Sequence, residues 1–316
     1  MLYNVGLDLG NNFVKVVSGN TNYSFPAMVK TGFDEFSEAE RYHIVYDDVD
    51  YSVGIGNYNL LRTKYFSLPY KILFLTALAK ITKGNTKTND YNVVISLPVD
   101  EFKNKELRKK IKETVLSWGT EQITVDGVTR NINIQNFAVF CEGSIISIDL
   151  DTFKEKDVII VDIGGYTWDF IGFKNLKKQN SSTENKGIIT LKDNLYQNFK
   201  NKYFTSLGEE EKEEFFKSVI LGTTYMLNGK EIDLKEYRAL VENYIIDIFN
   251  KINRTFDMNN KEILFIGGGS LELKKYIEKY EKIYNVTILK NADMLNAFSN
   301  YNYCVETLNE VEDESK

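Results

Sequence analysis

The chain has 316 residues, which is long for one hydrophobic core and suits two domains of ordinary size. A hydrophobic content of 43% with 27% charged residues is typical of soluble globular proteins, and the net charge of −6 argues against a broad nucleic-acid-binding surface. The single histidine, His43, argues against a His-based triad or a multi-His metal site, so any metal should be Mg²⁺ or Ca²⁺ on oxygen ligands.

Cys141 and Cys304 lie among apolar neighbours without a pairing framework and are predicted to be buried, reduced thiols of a cytoplasmic protein. The N-terminus lacks a basic segment followed by an apolar core, so no signal peptide is predicted. No apolar run approaches ~18–20 residues, so no membrane span is predicted either.

The first distinctive feature is a predicted hairpin over residues 2–17. Apolar residues lead to Asp8, a Gly-Asn-Asn turn follows at 10–12, and the returning strand carries Lys15. The turn is predicted to need positive φ, which Gly and Asn tolerate best. Its backbone N–H groups, between a carboxylate and an ammonium group, suit a phosphate chain and its metal. The alternative is an ordinary hairpin that happens to contain an aspartate.

The remainder of the first half reads as mixed strands and helices, and residues 31–41 and 83–90 read as loops. Pro98 should end the buried strand before it, since proline has no N–H to donate. The basic outer face of the second predicted helix is interpreted as a solvated surface. The pattern predicts strands at 23–29, 42–46, 50–55, 91–97, 122–126 and 129–134, and helices at 67–83, 101–118 and 142–148.

Residues 157–173 repeat the plan of the opening hairpin. An apolar strand ends in Asp162, a turn follows with Gly164 and Gly165, and an apolar strand returns after Thr167. Two such units, each opening a stretch of strands and helices, indicate a duplicated α/β architecture.

After this second hairpin the elements continue to about residue 303. A polar loop is predicted at 175–185, and a glycine turn at Gly267–Ser270 separates a strand from a helix. The acidic tail, 304–316, is predicted to be disordered. The pattern predicts helices at 191–203, 209–221, 234–257 and 271–282 and from about Asp293, a hairpin at 225–232 around Asn228-Gly229, and strands at 262–266 and 286–289.

A nucleotide between the halves would meet one hairpin tip from each side. Asp8 and Asp162 would face each other across a hydrated Mg²⁺ carried by the β- and γ-phosphates, and Lys15 would neutralise phosphate charge. The Gly267–Ser270 turn suits a ribose or α-phosphate, although three glycines after a strand also serve tight strand–helix packing. There is no GxxxxGK[ST], which excludes a P-loop NTPase, and no GxGxxG with a following acid to support a dinucleotide fold.

These motifs resemble those of the actin/Hsp70/sugar-kinase superfamily. The first phosphate motif resembles residues 8–15, the second resembles residues 162–169, and the adenosine motif resembles residues 266–270. Within the superfamily the chain is most similar to plasmid-segregation bacterial actins of the ParM type. That narrower resemblance is carried by Val53-Gly54 and residues 95–102 and 227–233, and the whole resemblance extends to about Tyr303.

The resemblance implies an α/β, actin-like fold with two RNase-H-like lobes around a nucleotide cleft. The lobes would be residues 1–160 and 161–303, with inserted subdomains at about 31–90 and 190–257. It also implies assembly of the protein with itself into filaments that are driven by ATP or GTP with Mg²⁺ and push plasmid copies apart. A small DNA-binding adaptor on a centromere-like site would couple the filament to DNA, which agrees with the acidic net charge.

For hydrolysis, the resemblance assigns Glu142 to orienting the attacking water, beside the metal-holding Asp8 and Asp162. The alternative for Glu142 is a first-turn helix carboxylate favoured by the helix dipole. Asp169 would be a further metal–water contact. Asn11 stands where many relatives carry Ser or Thr, so an amide would contact the γ-phosphate. The nucleotide-contacting candidates are Gly10, Asn11, Asn12, Lys15, Gly164, Gly165, Tyr166, Thr167, Gly187, Gly267, Gly268, Gly269 and Ser270.

Other functions of the same superfamily remain open. A small-molecule kinase would need a carboxylate base and a substrate-binding insertion, and the sequence contains no clear sugar-binding constellation. An Hsp70-type chaperone would carry a peptide-binding domain after the ATPase, and a membrane-tethered division actin would end in a basic amphipathic helix. The acidic tail disfavours both. The closing segment 292–301 departs from the family pattern at Phe298 and Ser299.

Overall fold

Each Asp-containing hairpin begins a separate β-sheet in the computed structural model, which describes residues 1–33, 41–58, 63–83, 88–145 and 150–308. The chain divides into a first unit, Met1–Leu150 with Met294–Lys316, and a second unit, Asp151–Asp293. Most of the predicted loop at 31–41 and the end of the tail lie outside the described residues.

The strands, in chain order, are β1 (Leu2–Leu9), β2 (Phe13–Ser18), β3 (Thr21–Pro26), β4 (Met28–Thr31), β5 (Tyr42–Tyr46), β6 (Val49–Val53), β7 (Asn57–Tyr58), β8 (Thr88–Leu97), β9 (Thr120–Val125), β10 (Val128–Cys141), β11 (Asp157–Ile163), β12 (Trp168–Lys174), β13 (Lys177–Glu184), β14 (Tyr225–Leu227), β15 (Lys230–Ile232), β16 (Glu262–Ile266) and β17 (Asn285–Ile288). The α-helices are α1 (Leu68–Ile81), α2 (Val99–Lys103), α3 (Lys105–Leu116), α4 (Leu150–Phe153), α5 (Ile188–Tyr203), α6 (Glu209–Leu221), α7 (Lys235–Thr255), α8 (Gly268–Glu272), α9 (Lys274–Ile277) and α10 (Leu295–Leu308).

The sheets of the two units share a five-strand arrangement. In the first unit the order is β3-β2-β1-β8-β10, and in the second it is β13-β12-β11-β16-β17. In both orders, the first three strands pair antiparallel with one another, and each of the last two strands pairs parallel with the strand before it. The duplicated α/β architecture predicted from the two hairpins is therefore confirmed. In the first unit, β9, β5, β6, β4 and β7 extend the sheet beyond β10.

Helices α1 and α10 cover opposite faces of the first sheet. Val16 of β2 packs in the cluster that contains α1, whereas the next residue, Val17, packs with Met294 and Ala297. Successive strand residues point to opposite faces, so the two helices lie on different sides. Helix α1 is apolar nearly all round, as expected for a buried helix.

Gly6 allows α10 to lie directly on β1. A Cβ at this position would be 2.2 Å from both the Ala297 O and Tyr301 N atoms, closer than any real contact. The predicted second lobe ran from 161 to 303, but residues 294–308 pack with the first unit, and the division between the units falls after Leu150. The inserted subdomains at 31–90 and 190–257 remain predictions.

Several predicted elements differ from the structure in the first unit. The helix expected at 101–118 is two helices, because Asn104 interrupts it and caps α3 through a hydrogen bond from the Leu107 N–H. The expected loop at 83–90 already belongs to β8 from Thr88 onward. The helix expected at 142–148 does not begin at Glu142, because Glu142 and Gly143 form a turn and Gly143 has a φ of 73°, and residues 146–148 lie outside the described residues.

In the second unit the main error is the predicted polar loop at 175–185. Those residues contain β13, which pairs with β12 at the sheet edge and whose polar side chains are all exposed or half-buried. Asn175 and Leu176 both have positive φ and form the two-residue turn between these strands. The helix expected at 271–282 begins earlier, at Gly268, and divides into α8 and α9.

Both cysteines are buried, as predicted, and neither forms a disulfide. Burial raises the pKa of the Cys304 thiol to about 11. Among the helices of the described residues, none is both long enough and apolar enough to cross a membrane.

Candidate nucleotide-binding site

The first hairpin places Asp8 and Lys15 directly opposite each other. They are cross-strand partners in the β1–β2 register, and Lys15 Nζ lies 3.0 Å from Asp8 Oδ2. Asp8 is buried and Lys15 is largely so, which strengthens their attraction. Asp8 and Lys15, the charged residues that the sequence predicts beside a phosphate chain, therefore lie together in the structure.

The turn of this hairpin differs from the expectation in its backbone. Gly10, Asn11 and Asn12 all lack positive φ, so the prediction that the turn needs it is wrong. Gly10 is required for a different reason, since a Cβ there would lie 2.8 Å from the Phe13 carbonyl oxygen. The tight approach of the two strand ends therefore accounts for this glycine.

Lys64 is a residue of this site that sequence reasoning missed. Its ammonium group donates to the Leu9 carbonyl at 3.1 Å and to Asn11 Oδ1 at 2.8 Å. Burial lowers the pKa of Lys64, and the carboxylates of Glu142, Glu101 and Asp8 act against that shift. An isolated lysine in a polar stretch carries no sequence signal for such a position.

Glu101 lies beside this lysine in the first turn of α2 and accepts a hydrogen bond from the Tyr65 hydroxyl. Burial raises the pKa of Tyr65, and the charges of Glu101 and Glu142 add to the effect. Burial likewise raises the pKa of Tyr70, with Asp8 and Glu101 contributing. The first unit therefore groups three carboxylates, two lysines and two neutral tyrosines at the hairpin.

Glu142 lies in a turn whose backbone is held from several sides. Its own N–H donates to the Leu97 carbonyl at 2.9 Å, which continues the β8–β10 pairing. The Gly143 N–H donates to Asn296 Oδ1 at 2.9 Å, and Ser299 Oγ donates to the Ser144 carbonyl at 3.0 Å. The divergent closing segment thus fixes the turn that carries the predicted water-orienting residue.

The second hairpin has the same strand plan with a different charge pair. Asp162 lies opposite Asp169 in the β11–β12 register, where the first hairpin has Asp8 opposite Lys15. Both aspartates are buried, and Asp169 Oδ1 accepts from Thr183 Oγ1 at 2.5 Å. The second hairpin therefore has a carboxylate where the first hairpin has an ammonium group.

The tip of the second hairpin is attached to the start of α5. The carbonyls of Gly164, Gly165 and Tyr166 accept from the N–H groups of Ile188, Ile189 and Gly187 at 3.0, 2.9 and 2.8 Å. A Cβ on Gly187 would lie 2.4 Å from the Gly165 oxygen. Packing against the tip therefore accounts for Gly187, which is predicted from the sequence as a nucleotide-contacting candidate.

Two residues beneath this tip hold it further. Trp168 Nε1 donates to the Tyr244 hydroxyl at 2.6 Å, and that hydroxyl donates to the Lys186 carbonyl at 2.7 Å. The Gly164 N–H also donates to the Thr167 carbonyl at 3.0 Å. Hydrogen bonds with residues of β12, of the start of α5 and of α7 therefore hold the turn in place.

In the glycine turn after β16, Gly267 and Gly269 lie against neighbouring atoms, whereas Gly268 has open space beside it. Gly267 has a φ of 84°, and a Cβ there would lie 2.2 Å from Asp162 Oδ1. A Cβ on Gly269 would lie 2.4 Å from Ile163 Cγ2, whereas one on Gly268 would meet nothing within 4 Å. Ser270 is buried and its hydroxyl donates to the Ile266 carbonyl at 2.5 Å, so that hydroxyl is bonded to the end of β16.

The residues present fit Mg²⁺ and a nucleotide. Mg²⁺ is usually held by one or two carboxylates together with water and substrate phosphates, and each hairpin places an aspartate at the strand end before a glycine turn. Among the described residues of the chain there is no ready-made cluster of three metal-binding side chains. Asp8 in the first unit and Asp162 in the second unit are each a candidate to hold such an ion, and Asp169 lies opposite Asp162.

Two family models match the two halves of the chain. The family model for the N-terminal domain of actin-like proteins matches residues 6–144, and the model for the C-terminal domain of the archaeal MreB-like actin homologue matches residues 160–279. None of the curated protein sequences matches the chain.

Solved structures cover nearly the whole chain at low sequence identity. A non-polymerisable quadruple mutant of pCBH ParM is 20% identical, with a TM-score of 0.81 over 97% of this chain and 100% of that one. A 15-stranded ParM filament from Clostridium botulinum is 18% identical, with a TM-score of 0.78 over 96% and 99%. The archaeal actin homologue Ta0583 in complex with ADP is 16% identical, with a TM-score of 0.76 over 97% and 100%.

Proposed function

We propose that this chain, whose two halves match family models of actin-like proteins, is a Mg²⁺-dependent nucleoside triphosphatase that assembles into filaments. The observation that carries the proposal is the repeated hairpin. Two sheets with the same strand order each present a buried aspartate and a tight glycine turn. The filament structure and the ADP complex among the similar proteins support assembly and nucleotide binding.

The residues have distinct roles in this proposal. Gly10, Gly164 and Gly165 let the backbone approach the phosphates, and Lys15 neutralises their charge. Asp8 and Asp162 are each proposed as a residue that would hold Mg²⁺, which would supply neutralisation of phosphate charge. Glu142 orients and polarises the attacking water, and Gly268 offers an open position for the nucleoside. Asn12, Tyr166 and Thr167 complete the two tips.

We further propose that the filaments drive DNA segregation through a small DNA-binding adaptor. The ParM names of similar structures and the net charge of −6, which makes broad DNA contact unfavourable, support this role. ATP is the first candidate for the nucleotide and GTP is the second.

Assembly can be measured by light scattering and pelleting of the purified chain with ATP, GTP, ADP or no nucleotide. We expect scattering that needs Mg²⁺ and a triphosphate and that decays as phosphate is released. If no nucleotide produces assembly well above micromolar protein, the filament proposal is wrong. If phosphate is released only when a small acceptor molecule is added, the protein is a kinase of the same superfamily.

Replacing Asp8 by alanine should weaken Mg·ATP binding by about 10- to 100-fold, since hydrogen bonds to charged groups contribute about 1.5–3 kcal/mol. The buried Lys15 would also lose its carboxylate partner at 3.0 Å. Fluorescence titration with a labelled nucleotide, with and without Mg²⁺, measures the change.

Asp50→Ala is the matched control, because Asp50 is exposed in the same unit and pairs only with His43 in the described contacts. It should bind Mg·ATP like the wild type. Full affinity in Asp8→Ala would contradict the assignment of a phosphate and metal site to this hairpin.

A further inference from the structure

The side chain of Lys64 reaches the tip of the first hairpin from a distant part of the sequence. Its Nζ atom lies 3.1 Å from the Leu9 carbonyl oxygen and 2.8 Å from Asn11 Oδ1. Both acceptors flank Gly10, so one ammonium group holds the backbone before the turn and the side chain within it.

This contact determines which end of the Asn11 amide faces outward. An ammonium group has donors and no acceptor, so it can meet only the oxygen of an amide. With Oδ1 held by Lys64, the Nδ2 group points away, and it donates to none of the residues that the structure describes. Asn11 is partly exposed, so its two N–H donors are available to a ligand.

The orientation matters because an amide, unlike a hydroxyl, has separate donor and acceptor ends. A serine or threonine at this position can rotate its hydroxyl hydrogen toward a phosphate without assistance. An unrestrained asparagine can instead present its oxygen, which repels a phosphate oxygen. An asparagine in this turn is therefore better placed to donate to a phosphate when a fixed cation holds its amide oxygen.

The surroundings of Lys64 favour keeping it in place. The carboxylates of Glu142, Glu101 and Asp8 all attract its charge. The ammonium also lies 5.5 Å from the centre of the Tyr65 ring, within reach of a cation–π contact. Lys64 is thus held in the same group of side chains that surrounds the proposed phosphate position.

We propose that Lys64 is a positioning residue that turns the Asn11 amide so that its N–H donors face the terminal phosphate of a bound nucleoside triphosphate. The inference rests on the proposed nucleotide-binding function. It also explains how an asparagine serves at position 11, where a serine or threonine hydroxyl would need no second residue to orient it.

A double-mutant cycle tests the proposal on the full chain with ATP, GTP, ADP and GDP as probes. The variants are Lys64→Met, Asn11→Ser and the two combined. Lys64→Met alone should weaken triphosphate binding by about 10-fold or more, because one hydrogen bond to a charged oxygen is lost. Diphosphate binding should change much less, since the contact is with the terminal phosphate.

In the Asn11→Ser background, Lys64→Met should change triphosphate affinity by less than about threefold, because a hydroxyl orients itself. Lys64→Arg, which keeps a side chain with donors only, should restore most of the affinity of Lys64→Met. Urea unfolding of each variant identifies any loss of folded protein.

The possible outcomes distinguish a failure of this inference from a failure of the proposed nucleotide-binding function. Independent, additive effects of the two substitutions, or equal losses for di- and triphosphates, would mean that Lys64 only stabilises the fold. If the wild type binds none of the four nucleotides, the proposed function fails and this inference fails with it.

Discussion

Replacing Glu142 by alanine is expected to lower the rate of phosphate release by about 100-fold or more, because a positioned acid or base contributes roughly 10²–10⁴-fold to such reactions. The turn that carries Glu142 should stay in place. Its N–H groups at positions 142 and 143 are held by Leu97 and Asn296, and the Ser144 carbonyl is held by Ser299. Filaments should therefore still form with a triphosphate and should last longer than those of the wild type.

Phosphate release and light scattering recorded on the same sample measure both effects. Glu306→Ala is the matched control, because Glu306 is an exposed glutamate on α10 of the same unit. It should hydrolyse at the wild-type rate. Unchanged phosphate release by Glu142→Ala filaments would show that another residue orients the water, and Glu101 would be the next candidate because it also lies near Lys64.

Replacing Gly6 by alanine is expected to destabilise the first unit by about 3 kcal/mol, at the upper end of the usual cost of overpacking a core. The added Cβ would lie 2.2 Å from the Ala297 O and Tyr301 N atoms. Those are backbone atoms of α10 and cannot move aside as a flexible side chain would. Helix α10 would have to shift away from β1, and the bonds from Asn296 and Ser299 to the 143–144 turn would weaken.

Urea unfolding followed by circular dichroism measures the loss of stability, and phosphate release reports the displaced turn. Gly19→Ala is the control, because a Cβ there meets nothing within 4 Å and only the positive φ of 57° opposes it. That strain costs about 1–2 kcal/mol. If Gly6→Ala unfolds at the same urea concentration as Gly19→Ala, the result would contradict the close packing of α10 on β1.

The repeated hairpins were predictable because their information is local. Apolar strands around Asp8 and Asp162 followed by glycine turns predict strand, turn and strand at two places, and the structure has them with the expected pairing. The turns at Asn228-Gly229 and Asp126-Gly127 also carry their signal in two adjacent residues, both with positive φ. Repetition of one local pattern then indicated the α/β duplication that the two sheets confirm.

The errors fall where local patterns are ambiguous. Strand β13 lies at a sheet edge and its side chains are polar, so its residues look like a loop. Its turn uses Leu176 at positive φ, which no turn preference predicts. A helix start at Glu142 agreed with the apolar pattern after it, but β10 extends to Cys141 and Gly143 turns the chain sharply.

The sequence by itself determined the two hairpins, their aspartates and the identity of the candidate phosphate residues, because each depends on neighbours within a few positions. Only the tertiary structure decided which glycines are present for packing, as at Gly187 and Gly267, and which residues hold the site together. Lys64 reaches Asn11, and Asn296 reaches Gly143, across 53 and 153 residues. Contacts of that separation depend on how strands and helices pack, which no local pattern contains.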